Sequence, residues 1–127
     1  KPNKAEFAAL IGQELPDTDA VVRAARALAL AHGTIILVSL GAEGAVIVSE
    51  TQAWQARPPN VPIKSAVGSG DSLVAGVAAA FCRSDALETA VQYGAAAGTA
   101  NALQIGAGVF SRDDFERILP KVTVTPL

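Results

Sequence analysis

An amphipathic segment that runs directly into a continuous apolar stretch constrains the fold of this chain more than any other feature. From Thr18 to His32, apolar residues recur at helical spacing, and Gly33 follows as a C-terminal stop. The next segment, Thr34–Leu40, reads Thr-Ile-Ile-Leu-Val-Ser-Leu, which is typical of a strand buried on both faces of a mostly parallel sheet. A helix that leads into such a strand predicts an α/β fold, with a sheet flanked by helices.

Further elements are predicted on both sides of this pair. Asn3, with Glu6 three residues later, is typical of a capping box that opens a helix ending near Gly12. The remaining predictions are a turn at Gly41–Gly44, an antiparallel strand at Ala45–Ser49, a short strand around Thr51–Gln55, helices over Asp71–Phe81, Leu87–Leu103 and Asp113–Leu119, and a strand at Val122–Val124. The two long helices are dense in Ala and Gly, which predicts unusually close packing against each other or against a flat ligand.

Composition narrows the classes of function. The 127 residues are half apolar, enough for one compact core, and the net charge of -2 contains no run of like charge. We therefore expect neither a nucleic-acid partner nor a membrane partner, and favour a small-molecule enzyme. A single cysteine, Cys82, which we expect to be buried, suits a reducing compartment, so a cytoplasmic protein is predicted. Because the chain opens at Lys1 without Met or a leading strand, we expect it to be part of a larger protein.

The strongest chemical signal is Val67-Gly68-Ser69-Gly70-Asp71-Ser72, between a loop and a predicted helix. Glycines let backbone N–H groups converge, and a helix N-terminus adds a positive dipole end, so this loop is suited to phosphate. A carboxylate beside a phosphate site predicts a general base that takes a proton from an attacking hydroxyl. The alternative is that Asp71 only caps the helix.

Two weaker signals lie elsewhere in the chain. Ser39–Ala45 places two glycines at the exit of a buried strand, where α/β proteins commonly bind ligands, although glycines there are usually only turn formers. Asn3 and Glu6 could present an amide and a carboxylate to a hydrated metal ion, although a capping box explains them equally well.

Several motifs in register resemble the ribokinase-like (phosphofructokinase B type) sugar kinases. They are Lys1–Glu6, Val38–Ala45, Lys64–Ser72, Gly98–Leu103 and Gly106–Gly108, and their order and spacing match along essentially the whole chain. The sequence is most similar to the branch that phosphorylates sugar phosphates, namely 1-phosphofructokinase, tagatose-6-phosphate kinase and the minor 6-phosphofructokinase. The resemblance implies the C-terminal portion of a three-layer α/β/α fold, with residues 1–127 as its nucleotide-binding and catalytic-base part and with the N-terminal sugar-binding part and lid absent.

The resemblance also implies a role for individual residues. Asp71 matches the catalytic base, and Gly68, Ser69 and Gly70 match the anion hole, although the family more often has Ala at the position of Ser69. Asn3 and Glu6 match the Asn-x-x-Glu motif that organises Mg²⁺ through water. The residues expected beside ATP are Ser39, Gly41, Gly44, Gly98 and, bordering the adenine, Asn101. In members that bind a monovalent cation such as K⁺, the matching positions are Ser65, Val67, Asn101 and Gly106.

The implied function is ATP-dependent phosphoryl transfer to a hydroxyl of fructose 1-phosphate, fructose 6-phosphate or tagatose 6-phosphate, with a homodimer as one form of the full-length protein.

Two alternative functions belong to other classes of protein. Gly70–Leu73 spells the signature of the GDSL esterases, with Ser72 as nucleophile, but the only histidine, His32, lies upstream of it. A non-catalytic nucleotide-binding module would keep the glycine loop and have no use for Asp71.

Overall fold

The computed structural model describes all 127 residues, Lys1–Leu127. The helices are α1 (Lys4–Ile11), α2 (Thr18–His32), α3 (Ser69–Cys82), α4 (Leu87–Ala102) and α5 (Arg112–Ile118). The strands are β1 (Ile36–Ser39), β2 (Ala45–Val48), β3 (Ala53–Arg57) and β4 (Thr123–Pro126). Short 3-10 turns occupy Gly41–Glu43 and Leu119–Lys121. Every predicted helix and strand is present, with bounds that shift by a few residues.

The first two helices begin and end where local capping chemistry dictates. The Glu6 N–H donates to Asn3 Oδ1 at 2.9 Å, and the Asn3 N–H donates to Glu6 Oε2 at 2.8 Å, so the capping box of α1 is complete. Asp17 Oδ1 accepts from the Ala20 N–H at 2.7 Å at the start of α2. Gly12 and Gly33 end these helices in the left-handed conformation, as predicted.

The sheet has the order β1-β2-β3-β4, and all three strand pairs are antiparallel. The predicted mostly parallel sheet is therefore wrong for the strands of this chain. Its only parallel contact is an isolated bridge between Asn3 and Ser39, beside β1. A continuous apolar run reports that both faces of a strand are covered, and it carries no information about the direction of the neighbouring strand.

Helices cover both faces of the sheet, which gives the three layers expected of the fold. Val46 and Val48 of β2 pack with α1 and α2, while Ala45 and Ile47 pack with α3, α4 and α5. Side chains of a strand alternate between faces, so the four buried residues of β2 feed two separate cores. The fold class predicted from the sequence is confirmed.

Glycines allow α3 and α4 to approach closely. A Cβ atom at Gly76 would lie 2.7 Å from the Tyr93 carbonyl oxygen, and one at Gly94 would lie 2.8 Å from the Leu73 carbonyl oxygen. The dense small residues therefore allow close contact between the two helices along this seam.

Cys82, at the end of α3, is exposed, so its predicted burial is wrong. No helix combines the length and apolar character that a membrane crossing needs.

Candidate functional site

The site is centred on the first turn of α3. Gly68 precedes the helix with φ +78°, and the first helical hydrogen bond runs from the Ser72 N–H to the Gly68 carbonyl at 2.9 Å. Asp71 lies in this turn, is exposed, and forms neither an ion pair nor a hydrogen bond with another residue. Because its carboxylate does not cap the helix, it remains accessible to a ligand.

Backbone N–H groups beside Asp71 lack partners within the chain. Those of Gly68, Gly70 and Asp71 donate no hydrogen bond, whereas the Ser69 N–H donates to the Ala66 carbonyl at 3.2 Å. Two of the three amides expected to form the anion hole are therefore free. The sequence reasoning missed the Asp71 amide, although the first N–H groups of any helix are available for a ligand.

A lysine ammonium lies against the same turn. A Cβ atom built on Gly70 would stand 2.7 Å from Lys1 Nζ, the far end of a flexible side chain. The free N–H groups and this ammonium together form a concentration of positive charge suited to a phosphoryl group. The sequence reasoning quoted Lys1 only as part of a motif, and its approach to Gly70, 69 positions away, is visible only in three dimensions.

The segment that carries Asn3 and Glu6 is held beside the end of β1. The Ser39 N–H donates to the Pro2 carbonyl at 3.1 Å, and Asn3 forms its bridge with Ser39. The structure therefore brings the predicted metal-organising motif, the strand end and, through Lys1, the glycine loop to one edge of the sheet.

The donor set of Asn3 and Glu6 fits Mg²⁺ only through water. Amide and carboxylate oxygens are the ligand type that Mg²⁺ prefers, and Mg²⁺ usually keeps several water ligands. Here Asn3 Oδ1 and Glu6 Oε2 are already used in the capping box. The chain contains no cluster of three or more His, Cys, Asp or Glu side chains placed to hold a metal.

The turn after β1 depends on two glycines and on a residue that the sequence reasoning missed. Gly41 and Gly44 both have positive φ, and a Cβ atom at Gly44 would lie 1.9 Å from the Ala56 carbonyl oxygen, so no other residue fits there. The buried Gln55 of β3 donates through Nε2 to the Glu43 carbonyl at 3.3 Å. This bond fixes the turn predicted to lie beside ATP.

Two residues expected beside the nucleotide have other contacts. Gly98 is buried, and a Cβ atom there would lie 2.9 Å from the Ser69 carbonyl oxygen, so Gly98 admits α3 against α4. Asn101 is 0% exposed, and its carboxamide bonds to the glycine loop. The side chain of Asn101 is therefore used within the chain, and its place beside the adenine stays a prediction.

The residues matched to a monovalent cation lie on adjoining segments. The Ser65 N–H donates to the Ala102 carbonyl at 3.3 Å, and the Val67 carbonyl accepts from Asn101 Nδ2 at 2.8 Å. The carbonyls of Ser65 and Gly106 accept no hydrogen bond. Since a carbonyl oxygen has two lone pairs, this set retains capacity for a weakly hydrated cation.

The structure does not assemble an esterase site. Ser72 is 4% exposed, and its Oγ has no hydrogen-bond partner. His32 ends α2, which packs on one face of the sheet, whereas α3, which carries Ser72, packs on the other. A nucleophilic serine needs a base within hydrogen-bond reach, and none is present.

Comparison with known proteins finds one family over most of the chain. Residues 1–114 match the pfkB family of carbohydrate kinases. The chain belongs to this family. The 6-phosphofructokinase isozyme 2 of Escherichia coli is 37% identical over 119 residues, which are 93% of this chain and 38% of that protein. The 1-phosphofructokinase of Escherichia coli is 33% identical over 129 residues, 99% of this chain and 40% of that protein. The chain thus spans about two fifths of the length of these pfkB relatives.

Solved structures show the same fold. Phosphofructokinase-2 from Escherichia coli in complex with potassium superposes with a TM-score of 0.87 at 36% identity, covering 94% of this chain and 39% of that one. Ribokinase from Thermotoga maritima superposes with a TM-score of 0.80 at 25% identity, covering 94% of this chain and 41% of that one. The pfkB chain described here therefore has a ribokinase-like fold.

Proposed function

We propose that the full protein containing this chain transfers the γ-phosphoryl group of ATP to a hydroxyl of a phosphorylated ketohexose. The candidate acceptors are fructose 1-phosphate, fructose 6-phosphate and tagatose 6-phosphate, and the names of the two relatives, a 6-phosphofructokinase and a 1-phosphofructokinase, support this class. The observation that carries the proposal is the exposed, unpaired carboxylate of Asp71 beside free backbone N–H groups at the start of α3.

In the proposed reaction, Asp71 accepts the proton of the acceptor hydroxyl as its oxygen attacks the γ-phosphorus. The bond from that phosphorus to the bridging oxygen of ADP breaks, and ADP leaves with the electron pair. A loose transition state places charge on the equatorial phosphoryl oxygens, and the N–H groups of Gly68, Gly70 and Asp71, which are free within the chain, stabilise that charge in this proposal. These donors belong to the fold before substrate binds, so little reorganisation opposes the step.

Other residues of the chain hold the nucleotide and its ions in this proposal. The turn Gly41–Gly44, with Ser39 before it, borders the nucleotide, and Lys1 Nζ meets the phosphates beside Gly70. Asn3 and Glu6 would hold Mg²⁺ through its water ligands, and the ion would supply neutralisation of phosphate charge. Ser65, Val67, Asn101 and Gly106 would take K⁺ through backbone carbonyls, as a relative solved with potassium encourages us to propose. A homodimer is proposed for the full-length protein.

The test is a direct assay of phosphoryl transfer. The full-length protein is incubated with ATP and Mg²⁺ and each of the three sugar phosphates, and ADP and the sugar bisphosphate are measured. We expect stoichiometric formation of both products with at least one acceptor. Absence of bisphosphate with all three, in a protein that is folded and binds ATP, would contradict the proposal and leave nucleotide binding alone.

A further inference from the structure

Asn101 makes four hydrogen bonds with its side chain, and each goes to a loop at the candidate site. Nδ2 donates to the Val67 carbonyl at 2.8 Å and to Ser69 Oγ at 3.3 Å. Oδ1 accepts from the N–H groups of Gly108 at 2.7 Å and Val109 at 3.3 Å. One buried carboxamide therefore joins the C-terminal end of α4 to two loops.

These bonds use the full capacity of the group. A carboxamide has two donor hydrogens and an oxygen with two lone pairs, and all four are engaged here. An aspartate of the same shape would lack the donors, and a leucine would lack both donors and acceptor. The surroundings of Asn101 therefore require a carboxamide, and not only a side chain of that size. A residue that merely fills the core would be subject to the size requirement alone.

The clamped loop is the one that carries the free amides. Val67 and Ser69 flank Gly68, and the unpartnered N–H groups belong to Gly68, Gly70 and Asp71. On the other side, Gly68 packs so closely that a Cβ atom would lie 2.5 Å from Ala107 Cα. The carboxamide thus fixes both the height of the glycine loop above α4 and its spacing from Gly108.

We infer that Asn101 is a positioning residue for phosphoryl transfer, acting through the glycine loop without contacting the substrate. The inference rests on the proposed function. Donors aimed in advance at developing charge lower the barrier because they need not reorient during the reaction. Loss of the clamp lets the loop sample other orientations, which weakens contacts made in the transition state more than contacts made to bound ATP. The consequence is a lower kcat with a nearly unchanged KM for ATP.

The experiment compares Asn101→Ala with Val91→Ala in the full-length protein. Val91 is fully buried in the same helix, about 15 Å from Asn101 at 1.5 Å per residue, and makes no contact with the loop through hydrogen bonds. Both variants lose packing, so both should show a lower Tm. We expect kcat of Asn101→Ala to fall by about 10- to 100-fold with KM for ATP nearly unchanged, whereas Val91→Ala keeps the wild-type kcat. Asn101→Ser, which stays uncharged but is too short to make all four bonds, replaces the alanine variant if that does not fold.

Amide hydrogen exchange supplies the second readout. The N–H groups of Ser69 and Ser72, which donate to the Ala66 and Gly68 carbonyls, should exchange faster in Asn101→Ala and at the wild-type rate in Val91→Ala. Equal kcat in the two variants would overturn the inference and leave Asn101 a purely structural residue. A wild-type protein that phosphorylates none of the three sugars would contradict the proposed function instead. Exchange of the Ser69 and Ser72 N–H groups would then decide the clamp, because an unchanged rate in the Asn101 variant overturns it.

Discussion

Gly68 and Gly70 stand two residues apart and tolerate a side chain differently. At Gly68, φ is +78° and a Cβ atom would meet the backbone of Ala107. At Gly70, φ lies outside the left-handed region and a Cβ atom would meet only the flexible end of Lys1. The first glycine is therefore required by the fold, whereas the fold alone does not require the second.

This difference predicts separate effects of two substitutions. Gly70→Ala should preserve or slightly raise Tm, since alanine favours a helix over glycine by about 0.5–1 kcal/mol, and should lower kcat/KM for ATP because its methyl group occupies the proposed phosphate space. Gly68→Ala should lower Tm markedly. Thermal unfolding and steady-state kinetics of the two full-length variants check this, and normal kinetics in folded Gly70→Ala would argue against a phosphate at this turn.

Asp114 offers a test of the contact between the segment after α4 and helix α5. Gln104 donates a hydrogen bond to its carboxylate at 3.1 Å, and this bond, with others from Ser111 and a favourable charge from Arg117, lowers the pKa of Asp114. A lowered pKa in the folded state stabilises the fold above the ordinary aspartate pKa of about 3.9, and this contribution is lost as the pH falls through the folded value.

We therefore expect an NMR titration to place the pKa of Asp114 below its ordinary value. Gln104→Leu removes the largest cause and should move that pKa upward, whereas Leu103→Ala on the preceding residue should leave it unchanged. An Asp114 pKa that is equal in wild type and Gln104→Leu would show that the bond between these side chains is absent in solution.

At the scale of elements, the seam between α3 and α4 controls where the glycine loop lies. The two helices approach so closely at Gly76, Gly94 and Gly98 that added methyl groups would meet backbone atoms at 2.7–2.9 Å. Backbone does not yield as a flexible side chain does, so a methyl group here forces the helices apart.

Gly76→Ala should lower the free energy of unfolding by about 1–3 kcal/mol, despite the better helix propensity of alanine, because overpacking outweighs propensity. Ala78→Leu, which adds bulk at an exposed position of α3, serves as the control and should change stability little. Urea unfolding of both variants measures the difference. A Gly76→Ala variant as stable as the control would mean that the seam is looser than the structure shows.

The helices could be predicted from the sequence because their signals are local. The capping box of Asn3 with Glu6 and the glycines after α1 and α2 act within one helical turn, and the structure has each of them as predicted. Strand direction could not be predicted for Thr34–Leu40, because helices bury both faces of β1 and an apolar run then reads the same in either direction.

The motif of the candidate site could be predicted from the sequence, but the long-range contacts that hold it in place could not. The Gly68–Asp71 turn follows from glycine freedom and helix chemistry, both of which are local. The contacts of Asn101 with Val67 and Ser69 join residues more than 30 positions apart, and those of Lys1 with Gly70 span more than half of the chain. No periodicity or spacing encodes such pairs, so only the fold reveals them.

At the scale of the whole molecule, the three layers bring the N-terminal segment, the end of β1 and the start of α3 to one edge of the sheet. In the proposed reaction, this chain supplies the general base and the N–H groups that meet the transferred phosphoryl group. The chain covers about two fifths of its pfkB relatives, so the acceptor sugar and the assembly are to be tested on the full-length protein.

The most direct test of the account is the turnover of Asp71→Asn in the full-length protein. Asparagine keeps the size and polarity of the side chain but cannot accept the proton of the attacking hydroxyl. We predict a kcat lower by about 10²- to 10⁴-fold, with ATP affinity close to that of the wild type. A kcat near that of the wild type would contradict the assignment of Asp71 as the general base and, with it, the central claim.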